Sequence, residues 1–342
     1  MKVSHYFEWE EYITGGHAQS VDNQRKIMDC AGIEYTPEPT LDADLLHLNN
    51  MGPKSLYYAK QAQRADVPVL VHTHQTAEDF EESFAFSNLL AKPMKPYLRY
   101  AYSLADHLVC PSDHNRRVIE EYADAPKTVI SNGFDPAKVA GYDDEDLRET
   151  YLDRYDLDPP VVFNVGHVIK RKGLEAFVET ARALPDLDFV WFGYLNPAGG
   201  ELDRFLKSRD TKRLVESAPD NCQFTGYVED IEGAFAAGDV FFWPSKNENE
   251  GIALLEAMSC GKPLVIRDIP TYHWLDDGTH CLKASDESAD AATAATDFAN
   301  ELDRLRAPDR REELGADAAE KSEEFELDAV GEDLVSLYQR LT

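Results

Sequence analysis

The stretch that most constrains this chain runs from Val240 to Ile266, VFFWPSKNENEGIALLEAMSCGKPLVI. Val240 to Trp243 is apolar without alternation, the pattern of a parallel strand covered on both faces. Pro244 and Ser245 end that strand, and a polar loop, Lys246 to Glu250, follows. Gly251 opens a helix that runs to Cys260, Gly261 caps it, and Pro263 to Ile266 returns to the sheet. Glu248 falls in the loop and Glu256, eight positions later, inside the helix. A helix start offers free N–H groups and positive dipole, which suits an anion such as a diphosphate. Carboxylates beside it cannot be there for phosphate, but they accept hydrogen bonds from hydroxyls. A ligand carrying both diphosphate and hydroxyls, a nucleotide sugar, is the implied occupant.

Glu248-x7-Glu256, with Gly251 three positions after the first Glu and LLEAMSCGKPLV behind it, resembles the E-x7-E signature of retaining family 4 glycosyltransferases. The resemblance implies that Glu248 faces the donor sugar, that Glu256 holds the ribose hydroxyls, and that the loop and helix start, Asn249, Glu250, Gly251 and Ile252, complete the donor contacts. The bland alternative is an acidic loop and a solvated helical Glu. The surrounding PS, LLEA and CGKP argue against it.

A chain of 342 residues is too long for one ordinary core and suits two domains, and its 43% apolar content supports both. There are 64 acidic and 34 basic residues, a formal net charge of −30, which excludes nonspecific nucleic-acid binding through a basic surface. Spread along the chain, that excess is the pattern of a protein adapted to high salt, where the Debye length falls to about 3 Å at 1 M. Cys30, Cys110, Cys222, Cys260 and Cys281 are odd in number and form no CxxC pair, so neither a disulfide framework nor a zinc site is indicated. The N-terminus has no apolar signal core and no run of about 18 apolar residues occurs. A cytoplasmic protein that touches a membrane only from outside is expected.

The first half alternates strands with helices. Lys2 to Phe7, Asp44 to Leu48, Val67 to His72, Leu108 to Pro111 and Thr128 to Ser131 read as strands; His17 to Ala31 and Gly52 to Ala65 read as helices. Gly141 to Pro160, rich in Asp, Tyr and Pro, reads as linker. The second half supplies strands at 161–165, 187–192, 222–225, 240–243, 264–266 and 281–283, followed by an acidic helical tail. The division expected is 1–150, 151–322 and a helix in 323–342. Two Rossmann-like α/β domains facing each other across a cleft make the GT-B architecture, which the resemblance also implies. There the final helix crosses back to the first domain.

Gly166 to Gly173 (GHVIKRKG) follows the first strand of the second half. Cations at such a turn are placed to stabilise a leaving diphosphate. The family pattern is Gly-Arg and then Lys-Gly; Lys172-Gly173 matches, but His167 stands at the Arg position, and Arg171 or Lys170 is expected to substitute. His72 and His74 end a first-half strand. HxH can suggest a metal, but no third ligand lies nearby in sequence. The resemblance assigns His74 to the donor sugar or acceptor hydroxyls, with His72 a packed neighbour. Gly15-Gly16 before a helix lets amides approach a phosphate. Asp42/Asp44 and Asp144/Asp146 match Asp-x-Asp, a chance match in so acidic a chain, and no metal or other cofactor is expected.

Residues 80–102 (FEESFAFSNLLAKPMKPYLRYAY) carry six aromatics, and Lys92, Lys95 and Arg99 share one helical face if Pro93 and Pro96 allow a helix. Such a surface suits an anionic bilayer. With GPKS, HTHQTAEDFEESFAFSN, RKG, FVWFGY and RDIPTYHWLDDG, the chain is similar, over Gly52 to Gly278, to bacterial glucosyltransferases that add a second hexose to a glucosyl-diacylglycerol. The resemblance implies a metal-independent, retaining transfer from a nucleotide-hexose, UDP-glucose foremost, to a glycolipid headgroup. Alternatives are a soluble or polysaccharide acceptor, a nucleotide-sugar epimerase, or a noncatalytic sensor. A dinucleotide oxidoreductase lacks its G-x-G-x-x-G here. Base, hexose, linkage and oligomeric state stay open.

Overall fold

The computed structural model describes residues 1–77, 87–195, 209–286 and 288–342, with the side chains of 87–92 and 209 excepted. Two parallel six-stranded sheets organise the described residues. The first has the order β2-β1-β3-β4-β5-β6, with β1 Lys2–Tyr6, β2 Glu34–Thr36, β3 Leu45–Leu48, β4 Val69–His72, β5 His107–Cys110 and β6 Lys127–Val129. The second has the order β12-β11-β10-β7-β8-β9, with β7 Val161–Val165, β8 Asp188–Phe192, β9 Cys222–Gly226, β10 Val240–Trp243, β11 Leu264–Asp268 and β12 Leu282–Asp286. In both sheets the strands run parallel and the intervening helices cover the faces, so strand C-termini gather at one edge, where an α/β sheet takes its ligand. β10 is buried along its whole length between β11 and β7, as its unbroken apolar run requires.

The stretch read as linker holds a helix, Glu145–Tyr155. Asp144 caps it by accepting from Leu147 N at 3.0 Å. Its inner side belongs to the second sheet: Tyr151 packs on Gly233 so closely that an added Cβ there would meet the ring at 2.1 Å, and its hydroxyl donates to Asp230 O at 2.8 Å. Arg148 pairs with Asp239 at 2.9 Å. A division at 150/151 would cut this helix; its packing assigns it to the second half.

The C-terminal helix, Leu327–Leu341, follows a 3-10 turn at Glu323–Phe325 and lies on the first sheet, not the second. Val330, Leu334, Leu337 and Tyr338 share a core with Val3, Leu45, Leu70 and Val109, and Tyr338 Oη bonds His47 Nδ1 at 2.7 Å. Helix Ser87–Tyr102 runs through Pro93 and Pro96 rather than starting after them. Residues 80–86 of the aromatic segment lie outside the described residues.

Candidate active site

The edges of both sheets face one cleft of about 990 Å³. Loop Lys246–Gly251 lies across it. Glu248 is buried, and its Oε1 accepts from Lys172 Nζ at 2.8 Å and Ser245 Oγ at 2.6 Å; Arg171 Nη1 stands 3.9 Å from Oε2. Burial would push this carboxyl up, but the Lys172 and Arg171 charges hold it below the ordinary carboxylate range. Lys172 Nζ also sits 4.4 Å from the Trp243 ring centroid, a cation over an aromatic face. The turn carrying these cations ends at Gly173, with φ +83°; a Cβ there would come within 2.2 Å of Pro244 O, so glycine is obligatory where the turn crosses β10's end. Gly251, with φ +106°, opens the helix Ile252–Ser259, and Thr271 Oγ1 pins the loop by donating to Glu248 O at 2.7 Å.

His167 touches the first half. Its Nε2 bonds Thr14 Oγ1 at 3.2 Å, and its ring lies against Gly15, an added Cβ there meeting Cε1 at 3.0 Å. Burial, Lys172 and Arg171 lower its pKa to about 4, so the ring is neutral and the positive charge of this corner resides on Lys172 and Arg171. Gly15 (φ +76°) and Gly16 open helix Gly16–Cys30 on the facing wall.

His74 lies on that wall, its ring parallel to His72 (4.3 Å between centroids, 2°) and 4.3 Å from His17. Burial drives His74 well below its usual value, so it is a neutral ring able to donate from one nitrogen and accept at the other. Sequence reading passed over His17, which bonds Asn49 O at 2.7 Å through Nε2. Being the residue after Gly15-Gly16 was its only signal.

Glu256 is buried at the meeting of the halves, and Gln19 Nε2 donates to its Oε1 at 2.6 Å. With burial dominant, its pKa rises to about 7. Asn249 and Glu250 line the cleft, and their side chains bond the first half. Glu250 Oε2 accepts from Asn132 N at 2.9 Å, and burial raises its pKa to about 7. Asn249 Oδ1 accepts from Asn115 at 2.8 Å, and its Nδ2 donates to His74 O at 3.2 Å. Gln19, Asn115 and Asn132 carried no sequence signal, since a lone amide has no motif. Tyr194 and Tyr227, stacked at 4.6 Å on the cleft wall, were also missed. Ile252 sits in the first turn of its helix, its side chain buried in the second core.

The expected basic face of helix Ser87–Tyr102 is engaged from another element. Lys95 Nζ pairs with Glu121 at 3.0 Å and Arg99 Nε donates to Glu121 O at 3.2 Å; the Lys92 side chain lies outside those described. Among the described residues, no group of three His, Cys, Asp or Glu is placed to hold a metal, and no helix is long and apolar enough to cross a membrane.

Comparison with known proteins covers both halves. Residues 37–138 match the Glycosyltransferase Family 4 profile and 152–305 the profile of Glycosyl transferases group 1. The chain is 33% identical, over 83% of its length and 84% of the relative's, to the processive diacylglycerol alpha-glucosyltransferase of Acholeplasma laidlawii. It is 28% identical, over 72% and 66%, to the alpha-galactosylglucosyldiacylglycerol synthase of Streptococcus pneumoniae. The fold superposes on that of Anabaena HepE, solved in complex with UDP-glucose, with a TM-score of 0.75 at 16% identity over 99% and 100% of the two chains. Sequence-long identity, two matched profiles and paired parallel sheets around one cleft agree: the chain belongs to the family 4, group 1 glycosyltransferases of GT-B fold.

Proposed function

We propose that the chain transfers glucose from UDP-glucose, with retention, to the sugar headgroup of a membrane glycolipid. The observation that carries this is the pairing of Glu248 with Lys172 and Arg171 in a cleft that also holds Glu256 and His74. Lys172 and Arg171 meet the diphosphate, where charge grows as the bond to sugar C1 breaks, and no metal is needed for that task. The acceptor oxygen bonds to C1 on the face the diphosphate leaves, and the departing phosphate oxygen takes the acceptor's proton. Glu248 holds the donor sugar and His74 a sugar or acceptor hydroxyl. Glu256 takes the ribose hydroxyls, and amides near Gly15, Gly16 and Gly251 the phosphates. The glycolipid acceptor draws on the relatives named for diacylglycerol substrates.

Peripheral attachment to the inner face of a membrane draws on the exposed aromatics Tyr57 and Tyr100, the latter with Lys60 Nζ 5.0 Å from its ring. The engagement of Lys95 and Arg99 by Glu121 favours a second reading, a soluble glycan acceptor. The formal net charge of −30 fits a protein working in high salt; its thermal midpoint should rise between about 0.1 and 2 M salt as self-repulsion is screened.

The test is incubation with UDP- and GDP-hexoses, with and without vesicles containing glucosyl-diacylglycerol, and mass and anomeric analysis of products. A diglycosyl lipid with an α-linkage, formed from UDP-glucose only with vesicles, supports the proposal. Glucosylation of soluble glycans alone replaces it with the second reading. Glu248→Ala should lower kcat by roughly 100-fold or more; wild-type kcat at saturating donor would remove Glu248 from the role given.

A further inference from the structure

Glu248 and His74, set against the donor sugar above, belong to different halves, so their relative position must come from something that spans the cleft. Asn115 spans it. Fully buried in the first turn of helix Asp113–Glu120, it donates from Nδ2 to Asn249 Oδ1 at 2.8 Å and to Thr73 O at 3.3 Å. Its Oδ1 accepts from Thr73 Oγ1 at 2.6 Å. Thr73 precedes His74 in the chain, and Asn249 follows Glu248. Asn249 closes the ring by donating to His74 O at 3.2 Å. Ser112 Oγ, which caps the same helix by accepting from Asn115 N at 3.1 Å, donates to Asn249 O at 2.5 Å.

We infer that Asn115, assisted by Ser112, is a positioning residue for sugar transfer: one buried amide holds the chain neighbours of His74 and Glu248, so closing the cleft and setting the two side chains against each other are one event. The inference rests on the transferase reading. Its physical basis is that both donors and the acceptor of the Asn115 amide are used, so no other rotamer satisfies them. A slip of about 1 Å between reacting groups costs on the order of 100-fold in rate.

The experiment compares Asn115→Ala, Asn249→Ala and the double variant for kcat on UDP-glucose and acceptor lipid. For Asn115→Ala it adds calorimetric titration with UDP. Asn115→Ala should lose roughly 10- to 100-fold in kcat while UDP affinity changes by less than about threefold, because the nucleotide's contacts lie mainly on the second half. The double variant should be no worse than the worse single one, as for two groups acting through one bond. Effects that multiply would overturn the inference, as would an unchanged kcat. Asn115→Asp keeps the acceptor for Thr73 Oγ1 but has no donor for Asn249 Oδ1 or Thr73 O; kcat and the thermal midpoint should both stay low, as in Asn115→Ala. Recovery of kcat with the midpoint would mean that Asn115 only supports the fold. If the wild type itself glycosylates no lipid, the acceptor reading falls, and the tie is judged by hydrogen exchange at 247–250. There a roughly tenfold acceleration in Asn115→Ala upholds it and unchanged exchange refutes it.

Discussion

The two halves share a sheet architecture but not an interior. The second is built on aromatic packing: Phe163, Phe177, Phe189, Trp191, Phe241 and Phe242 are all buried, with Phe163 edge-on to Phe235 at 5.7 Å. The first buries polar groups on its central strands or just past their ends, among them Ser4, His5, His47, Asn49 and His72. Its imidazoles form a column leading from the cleft. His17 and His74 are 4.3 Å apart, His74 and His72 4.3 Å, His72 and His47 5.8 Å, and His47 and His5 4.9 Å. Strand register makes part of this column, since His5 on β1 pairs with His47 on β3. Gln24 bridges two members, bonding His5 Nε2 at 2.8 Å and His72 Nδ1 at 3.1 Å. Among the described residues, His5 Nδ1, His47 Nε2 and His72 Nε2 are buried with no hydrogen-bond partner. Stability in the second half therefore rests mainly on apolar burial, which pH does not touch, apart from the cleft-side groups His167, Glu248, Glu250 and Glu256. In the first it depends on imidazoles staying neutral.

The largest effect belongs to the second half. Phe163→Ala should cost about 3–5 kcal/mol of unfolding free energy, read from urea denaturation, because the ring is enclosed by Phe235, Phe241 and Gly238 and the site cannot collapse. A loss below about 1 kcal/mol would break the contrast. Acid should strike the first half. Burial lowers His5 and His17 to about 4 and His72 to about 3, with His47 and His74 also well down. The unfolded chain then binds more protons than the folded one below about pH 6.5, so this contribution is intact above 6.5 and is lost as pH falls toward 4. Each net proton is worth on the order of 1.4 kcal/mol per pH unit. Glu250 and Glu256, raised to about 7, act oppositely: their contribution is full below about 4.5 and declines as pH rises through 7. Five imidazoles outweigh two carboxyls, so hydrogen exchange should show β1, β3 and β4 losing protection before β7, β8 and β10 between pH 6.5 and 4. Loss in step would refute the division.

What could be read from the chain follows the same split. The strands of the second half and the loop from Glu248 to Gly251 were legible because apolar runs and obligatory glycines mark them directly. β2 was missed: three residues, Glu-Tyr-Thr, hold too little pattern to register. The helix Glu145–Tyr155 was hidden by its acids, although Asp144 as cap and Leu147, Tyr151 and Tyr155 at helical spacing pointed to it. The histidine column and the amides tying Asn249 and Glu250 to the first half were not legible, because their partners lie on separate strands and only the tertiary fold brings them together.

A smaller effect tests whether the first interior is held by its hydrogen bonds. Gln24→Leu keeps the volume but removes the bridge between His5 and His72. It should cost about 1–3 kcal/mol, the penalty for leaving buried polar groups unpaired, and should raise the pH at which the first half begins to open. A neutral or stabilising result in urea denaturation would mean that shape, not bonding, holds the column.

The smallest effect lies where the halves meet, at Glu256, and depends on pH. With its pKa raised to about 7 by burial, the carboxyl is largely protonated at pH 6 and ionised at pH 8. Its bond from Gln19 and the proposed bonds from ribose hydroxyls strengthen when it is charged, by about 1.4 kcal/mol on the difference between charged and neutral acceptors. Glutamine copies the neutral acid in size and cannot ionise. Glu256→Gln should therefore bind UDP nearly as tightly as the wild type at pH 6 and roughly tenfold more weakly at pH 8, measured calorimetrically. A ratio that does not change with pH would show that Glu256 meets the ribose in one protonation state throughout, and that its burial between the halves does not set its affinity for the nucleotide.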